Sequence, residues 1–143
     1  KYQPLKLPEL DYQTEANQIF CSIRKKWVAL TPEEWVRQHF INLLVKHIYY
    51  PKGLFKLEKT MSYFKNKKRS DIVVLDREGG TFLLVECKAP SVKLDQNTLR
   101  QVAEYNAILD SSYLAITNGL THYVWQRKNQ VFQQIKEFPV YPK

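Results

Sequence analysis

Apolar and polar positions follow three different rhythms along this chain. Between Thr31 and Pro51, Val36, Phe40, Leu43, Leu44 and Ile48 recur at helical spacing. Thr31 is an N-cap candidate, Pro32 suits the first helical position, and Glu34 falls three residues after the cap. Those signals predict a helix that runs until Pro51 stops it. Upstream, residues 1–17, "KYQPLKLPELDYQTEAN", are polar and interrupted by Pro4 and Pro8, which predicts an extended arm. "IFCSIRKKWVAL" mixes strand-forming residues with a basic cluster and predicts an edge strand or irregular lead-in.

After Pro51 the rhythm shortens. "LFKLEKTMSYF" alternates as a strand does, "KNKKR" reads as a basic turn, and "DIVVLD" and "TFLLVECK" flank "REGG" as a hairpin, with Asp76 a turn residue. "DQNTLRQVAEYNAILD" returns to the helical period. "YLAITNG" reads as a buried strand ending in an Asn-Gly turn, and "THYVWQ" and "VFQQIKEF" around "RKN" as a last hairpin. The order is αβββαβ plus a C-terminal hairpin, a mixed α/β domain with a central sheet. A length of 143 residues with 44 % hydrophobic content fits one domain, over residues 18–143.

The first hairpin contains a conflict. Asp71, Glu86 and Lys88 flank or interrupt apolar strands, where an ionised group is costly unless paired, hydrogen-bonded or bound to metal. A two- or four-residue loop centred between Glu78 and Gly79 puts Asp71 directly opposite Glu86, and the strand period puts Lys88 on the same face. Opposed carboxylates repel. A hard divalent cation resolves this: Mg²⁺, or Mn²⁺ in its place, would take Asp71, Glu86 and the main-chain carbonyl of Cys87, with Lys88 beside the bound water. The chemistry suggested is phosphodiester hydrolysis. The plain alternative is an ion pair of Glu86 with Lys88 or Arg69 at a sheet edge, and an odd-length loop would slip the register.

Charge supports a polyanionic partner, since Lys and Arg outnumber Asp and Glu by 22 to 14, a formal +8. Arg24, Lys25 and Lys26 precede the first helix, Lys65, Lys67, Lys68 and Arg69 precede Asp71, and Arg37 lies one turn past Glu34. These could hold DNA phosphates, with weak sequence preference and strong salt dependence, or could form solvated faces. Cys21 and Cys87 lack metal-ligand spacing, and His39, His47 and His122 show none either. No apolar run approaches the roughly 20 residues of a membrane span, and no signal-peptide pattern opens the chain, so a cytoplasmic location is expected. The chain starts with Lys1, as a segment of something longer would.

The stretches "LTPEEWVRQHFI", "RSDIVVLD", "LLVECKAP", "RQVAEYN" and "AITNG", in this order, resemble the PD-(D/E)XK nuclease superfamily, and more narrowly the N-terminal nuclease domain of type I restriction enzyme R subunits. The resemblance spans roughly Ile19 to Trp125. It implies a restriction-endonuclease-like core, a mixed sheet flanked by helices. It also implies a metal site of a helix-borne Glu, the hairpin Asp and a Glu-x-Lys pair, supported by Gln-x-x-x-Tyr on the next helix. Residue by residue these fall on Glu34, Asp71, Glu86, Lys88, Gln101 and Tyr105. Ser70 stands where the pattern usually has Pro. Glu34 has a competing use as the capping-box residue, with Glu33 its substitute, and Gln101 with Tyr105 could simply share a packed helical face.

The expected activity is therefore a metal-dependent DNA endonuclease. No Gly-x-x-x-x-Gly-Lys-Ser/Thr phosphate loop occurs, so the ATP-driven motor of a complete R subunit is not in this sequence. Cutting both strands of a duplex calls for two sites, hence a homodimer or other restriction subunits as partners. The competing classes are a non-catalytic nucleic-acid-binding or partner-docking module on the same fold, and a metal-dependent enzyme acting on another phosphate ester.

Overall fold

The computed structural model describes residues 3–57 and 72–143, except for the side chains of residues 103–109. Among the described residues, β1 (Thr14–Glu15), β2 (Gln18–Cys21) and β3 (Lys26–Ala29) form an antiparallel meander. Its first turn uses Ala16 and Asn17, both at positive φ, which suits a tight hairpin. The lead-in is thus regular, and the boundary expected after residue 17 falls within the first hairpin. The proline-interrupted residues before it do lack regular structure, yet they lie on the domain. Leu5 and Leu7 pack on the core, Trp35 Nε1 donates to the Gln3 carbonyl, and the Lys6 amide donates to the Gly119 carbonyl.

Helix α1 (Pro32–Asn42) begins as the punctuation predicts, with the Thr31 hydroxyl accepting from the Glu34 amide at 3.0 Å. It does not run unbroken to Pro51. Leu43–His47 continue it as a π-helical turn, and Tyr49, at φ 63°, lets the Tyr50 amide reach back to the Leu44 carbonyl. The reversal buries the Tyr50 ring, whose hydroxyl donates to the Pro139 carbonyl.

The larger sheet has six strands among the described residues, in chain order: β4 (Phe55–Leu57), β5 (Ile72–Leu75), β6 (Thr81–Cys87), β7 (Tyr113–Thr117), β8 (His122–Lys128) and β9 (Val131–Ile135). β6 and β7 are parallel and the other neighbours antiparallel. Helix α2 (Gln96–Leu109) makes the crossover that a parallel pair requires. Asp95 caps it, its Oδ1 accepting from the Thr98 amide and hydroxyl, which holds that carboxyl below its ordinary range.

β6 is buried on both faces, so its apolar run is nearly continuous. Leu83, Val85 and Cys87 meet Val36, Phe40 and Leu44 on the α1 side; Leu84 meets Val73, Ile116 and Val102 on the α2 side. The pairs Ile72 with Val85, Val73 with Leu84 and Val74 with Leu83 keep the expected register, and a bulge follows at Val74/Leu75. Asp76 is the turn residue expected: its Oδ1 accepts from the Glu78 and Gly80 amides.

Candidate metal and nucleic-acid site

Glu86 lies at the carboxyl end of β6, beside the carboxyl end of the parallel strand β7. In open α/β sheets that end is where ligands bind. Alternation along β6 turns Glu86 to the same face as Leu84, the α2 side, where the carboxylate is only 7 % exposed. The Lys88 ammonium stands 3.2 Å from Glu86 Oε2, and the Lys88 amide donates to the Thr117 carbonyl at 2.8 Å. The two residues expected to act together are therefore brought together. Cys87 occupies the last strand position, opposite Thr117, with its thiol side in the core.

Asp71 lies outside the described residues, and so do Lys65, Lys67, Lys68, Arg69 and the Tyr105 side chain. Gln101 is exposed, one position before Val102, which packs on the sheet. Among the described residues, no three His, Cys, Asp or Glu side chains form a metal-holding group, which includes Glu34 with Glu86 and Cys87.

The Glu34 carboxylate takes neither capping-box partner nor solvent. The Glu34 amide, not the carboxylate, joins the cap. The carboxylate is 7 % exposed, and its Oε2 accepts from Arg24 Nη2 and Gln38 Nε2, both at 2.7 Å, while Arg37 Nε lies 3.7 Å from Oε1. Arg24 and Arg37, both expected beside DNA phosphates, thus lie against Glu34 here. Arg24 turns inward from the β2–β3 turn, and Arg37 is 1 % exposed. Lys25 and Lys26 remain exposed.

The same network reaches Cys21, whose sulfur accepts from the Arg24 amide and Nε at 3.4 Å. Burial pushes this thiol up, but hydrogen bonds from Arg24 and Gln38 and the Arg24 charge outweigh it, and the net shift is downward. Burial lowers Arg24 in turn, and Cys21 and Glu34 more than offset it. Sequence reading missed this buried cluster. The one legible signal was Gln38 at the i+4 position from Glu34.

The histidines are structural or solvated, as expected. His39 donates from Nδ1 to the Trp35 carbonyl, His47 is exposed, and His122 joins Thr117 to the Lys6 carbonyl.

Among the described residues, two α-helices on a mixed sheet, with a Glu-x-Lys pair at the end of its central strand, define a restriction-endonuclease-like α/β domain. The family described as type I restriction enzyme R protein N terminus (HSDR_N) matches residues 32–139, and the chain belongs to it. No curated protein matches the chain. None of the helices among the described residues is long and apolar enough to cross a membrane.

Proposed function

We propose that this domain is a Mg²⁺- or Mn²⁺-dependent DNA endonuclease of the cytoplasm, working with a second copy or with other restriction subunits. The observation that carries the reading is the placement of Glu86 and Lys88 at the carboxyl end of β6, 3.2 Å apart, with the Glu86 side chain largely out of water. A nearly buried carboxylate there is a costly feature to keep without a use.

The residues suit a hard divalent cation. Glu86 and Asp71 would supply carboxylate oxygens and Cys87 a carbonyl oxygen; the register of the described pairs, Ile72 with Val85 last, supports Asp71 as the partner of Glu86. When bound, the ion would lower the pKa of water and offset charge on the phosphoryl oxygens. Lys88 would orient the attacking water, a role open to it once the cation takes over Glu86. Glu34 would complete the outer ligand set only by exchanging Arg24 and Gln38 for the metal. Gln101 and Tyr105 would orient the surrounding groups or the DNA. Lys25 and Lys26, with Lys65, Lys67, Lys68 and Arg69, would hold backbone phosphates.

The test is cleavage of supercoiled plasmid and of labelled single-stranded DNA with Mg²⁺ or Mn²⁺, with EDTA as control. Metal-dependent cutting is expected, with loss of about 100-fold or more in Lys88→Ala and Glu86→Ala. Cutting by Glu86→Ala at the parent rate would overturn the assignment. A second reading, a non-catalytic DNA-binding or docking module, draws on the Glu86–Lys88 ion pair, which neutralises the carboxylate without metal. DNA binding that is equal with and without divalent metal, and no turnover, is its signature.

A further inference from the structure

The Thr117-Asn118-Gly119 corner after β7 does more than reverse the chain. Asn118 is 6 % exposed and makes three side-chain hydrogen bonds. Its Oδ1 accepts from the Leu120 and Thr121 amides at 2.9 and 2.8 Å, which builds the turn. Its Nδ2 donates 2.8 Å across to the Val92 carbonyl, in a different loop. The turn itself needs only the oxygen.

Val92 closes the segment that begins at Lys88. The Val92 amide donates to the Ala89 carbonyl, forming a turn over Ala89–Val92, and the Lys88 amide donates to the Thr117 carbonyl. The corner thus grips the Lys88 segment at both ends, through the main chain of Thr117 and the side chain of Asn118. Lys88 itself is past the last ladder position of β6, and its side chain is 26 % exposed. Its ammonium is held by the ion pair with Glu86, and the grip fixes the main chain from which it reaches.

We propose that Asn118 is a positioning residue for Lys88, acting through the Val92 carbonyl; the catalytic part of this inference rests on the nuclease reading above. The amide nitrogen is the group that matters. Partners that hold a functional side chain in place commonly govern activity by about 10- to 100-fold without touching the reacting atoms.

Asn118→Asp separates the two jobs of this side chain, since it keeps the accepting oxygen for the turn and sets a carboxylate oxygen against the Val92 carbonyl. Asn118→Ser is the second variant, because its hydroxyl can support the turn but is too short to reach Val92. In the lysine-labelled full chain, both variants are expected to raise Lys88 amide exchange about tenfold and to loosen its side-chain methylene order. The amides of Leu84 and Ile116 in the core should keep the parent rates. In cleavage, kcat is expected to fall about tenfold or more with KM for DNA unchanged, and Asn118→Asp should add nothing further in a Lys88→Ala background.

Parent-like exchange and order at Lys88 in a folded Asn118→Asp would overturn the proposal, whatever the cleavage data, as would additive losses in the double variant. Loosening at Lys88 in a chain whose parent form cuts no DNA would uphold the positioning and count only against cutting by this chain alone.

Discussion

Charge burial decides what single residues do here. The Glu34 carboxylate, with Arg24 and Gln38 on one oxygen, is a buried ion pair, and such pairs are most costly when one partner is removed. Glu34→Ala is expected to lose about 3 kcal/mol in urea unfolding, with Glu34→Gln losing less. If Glu34 completes the metal site, Glu34→Gln will also weaken Mn²⁺ binding to the folded chain. His122 carries a second residue-level expectation. The Lys6 carbonyl can only accept, so Nε2 must donate to it, and Nδ1 then accepts from the Thr117 hydroxyl, which suits the neutral ring. Burial lowers its pKa, and the Lys6 carbonyl offsets this only in part. Burial lowers His39 likewise. As pH falls, the unfolded chain therefore takes up these protons first. Their contribution is full above the ordinary histidine value of 6.5 and is lost as pH falls through the lower folded values. A Tm profile from pH 7.5 to about pH 5 should fall more steeply for the parent than for His122→Asn.

Elements formed where local chemistry and burial agree. Thr31 and Pro32 mark a helix start in the sequence and in the structure alike, the structure adds Asp95 as the cap of the second helix, and Thr31→Ala should cost about 1 kcal/mol. The end of the first helix was not legible in the same way. Pro51 forbids helix beyond itself, but the stop comes earlier, at the left-handed Tyr49, because Tyr50 is drawn into an aromatic cluster with Phe82 and Tyr141. The corner after β7 shows the opposite case. Asn-Gly announces a turn, and the structure adds that Gly119, at φ 88°, has no room for a Cβ, which would come within 2.7 Å of Leu5. Gly119→Ala is expected to cost about 1–3 kcal/mol and to loosen the N-terminal segment, measurable as faster amide exchange at Lys6.

At the scale of the molecule, the N-terminal segment is part of the domain. Removing residues 1–9 uncovers the surface under Leu5 and Leu7 and takes the Gln3 carbonyl from Trp35 Nε1 and the Lys6 amide from the Gly119 carbonyl, at about 2 kcal/mol by urea unfolding. The formal charge of +8 sets a second whole-molecule expectation. DNA affinity should fall by about tenfold or more between roughly 50 and 200 mM salt, with little dependence on sequence, because phosphate contacts release counterions.

By itself, the sequence determined the order of elements from the first helix onward, the hairpin register through Val85, the start of the first helix and the Glu86-Cys87-Lys88 end of the central strand. These follow from period, capping chemistry and turn residues, which act over a few positions. Only the tertiary structure decided that Arg24 and Arg37 face inward to Glu34, that the N-terminal segment covers the core, and that Asn118 reaches into the loop after Lys88. Each depends on residues far apart in the chain meeting where water is excluded, where an unpaired charge or amide is costly and the nearest compatible partner claims it.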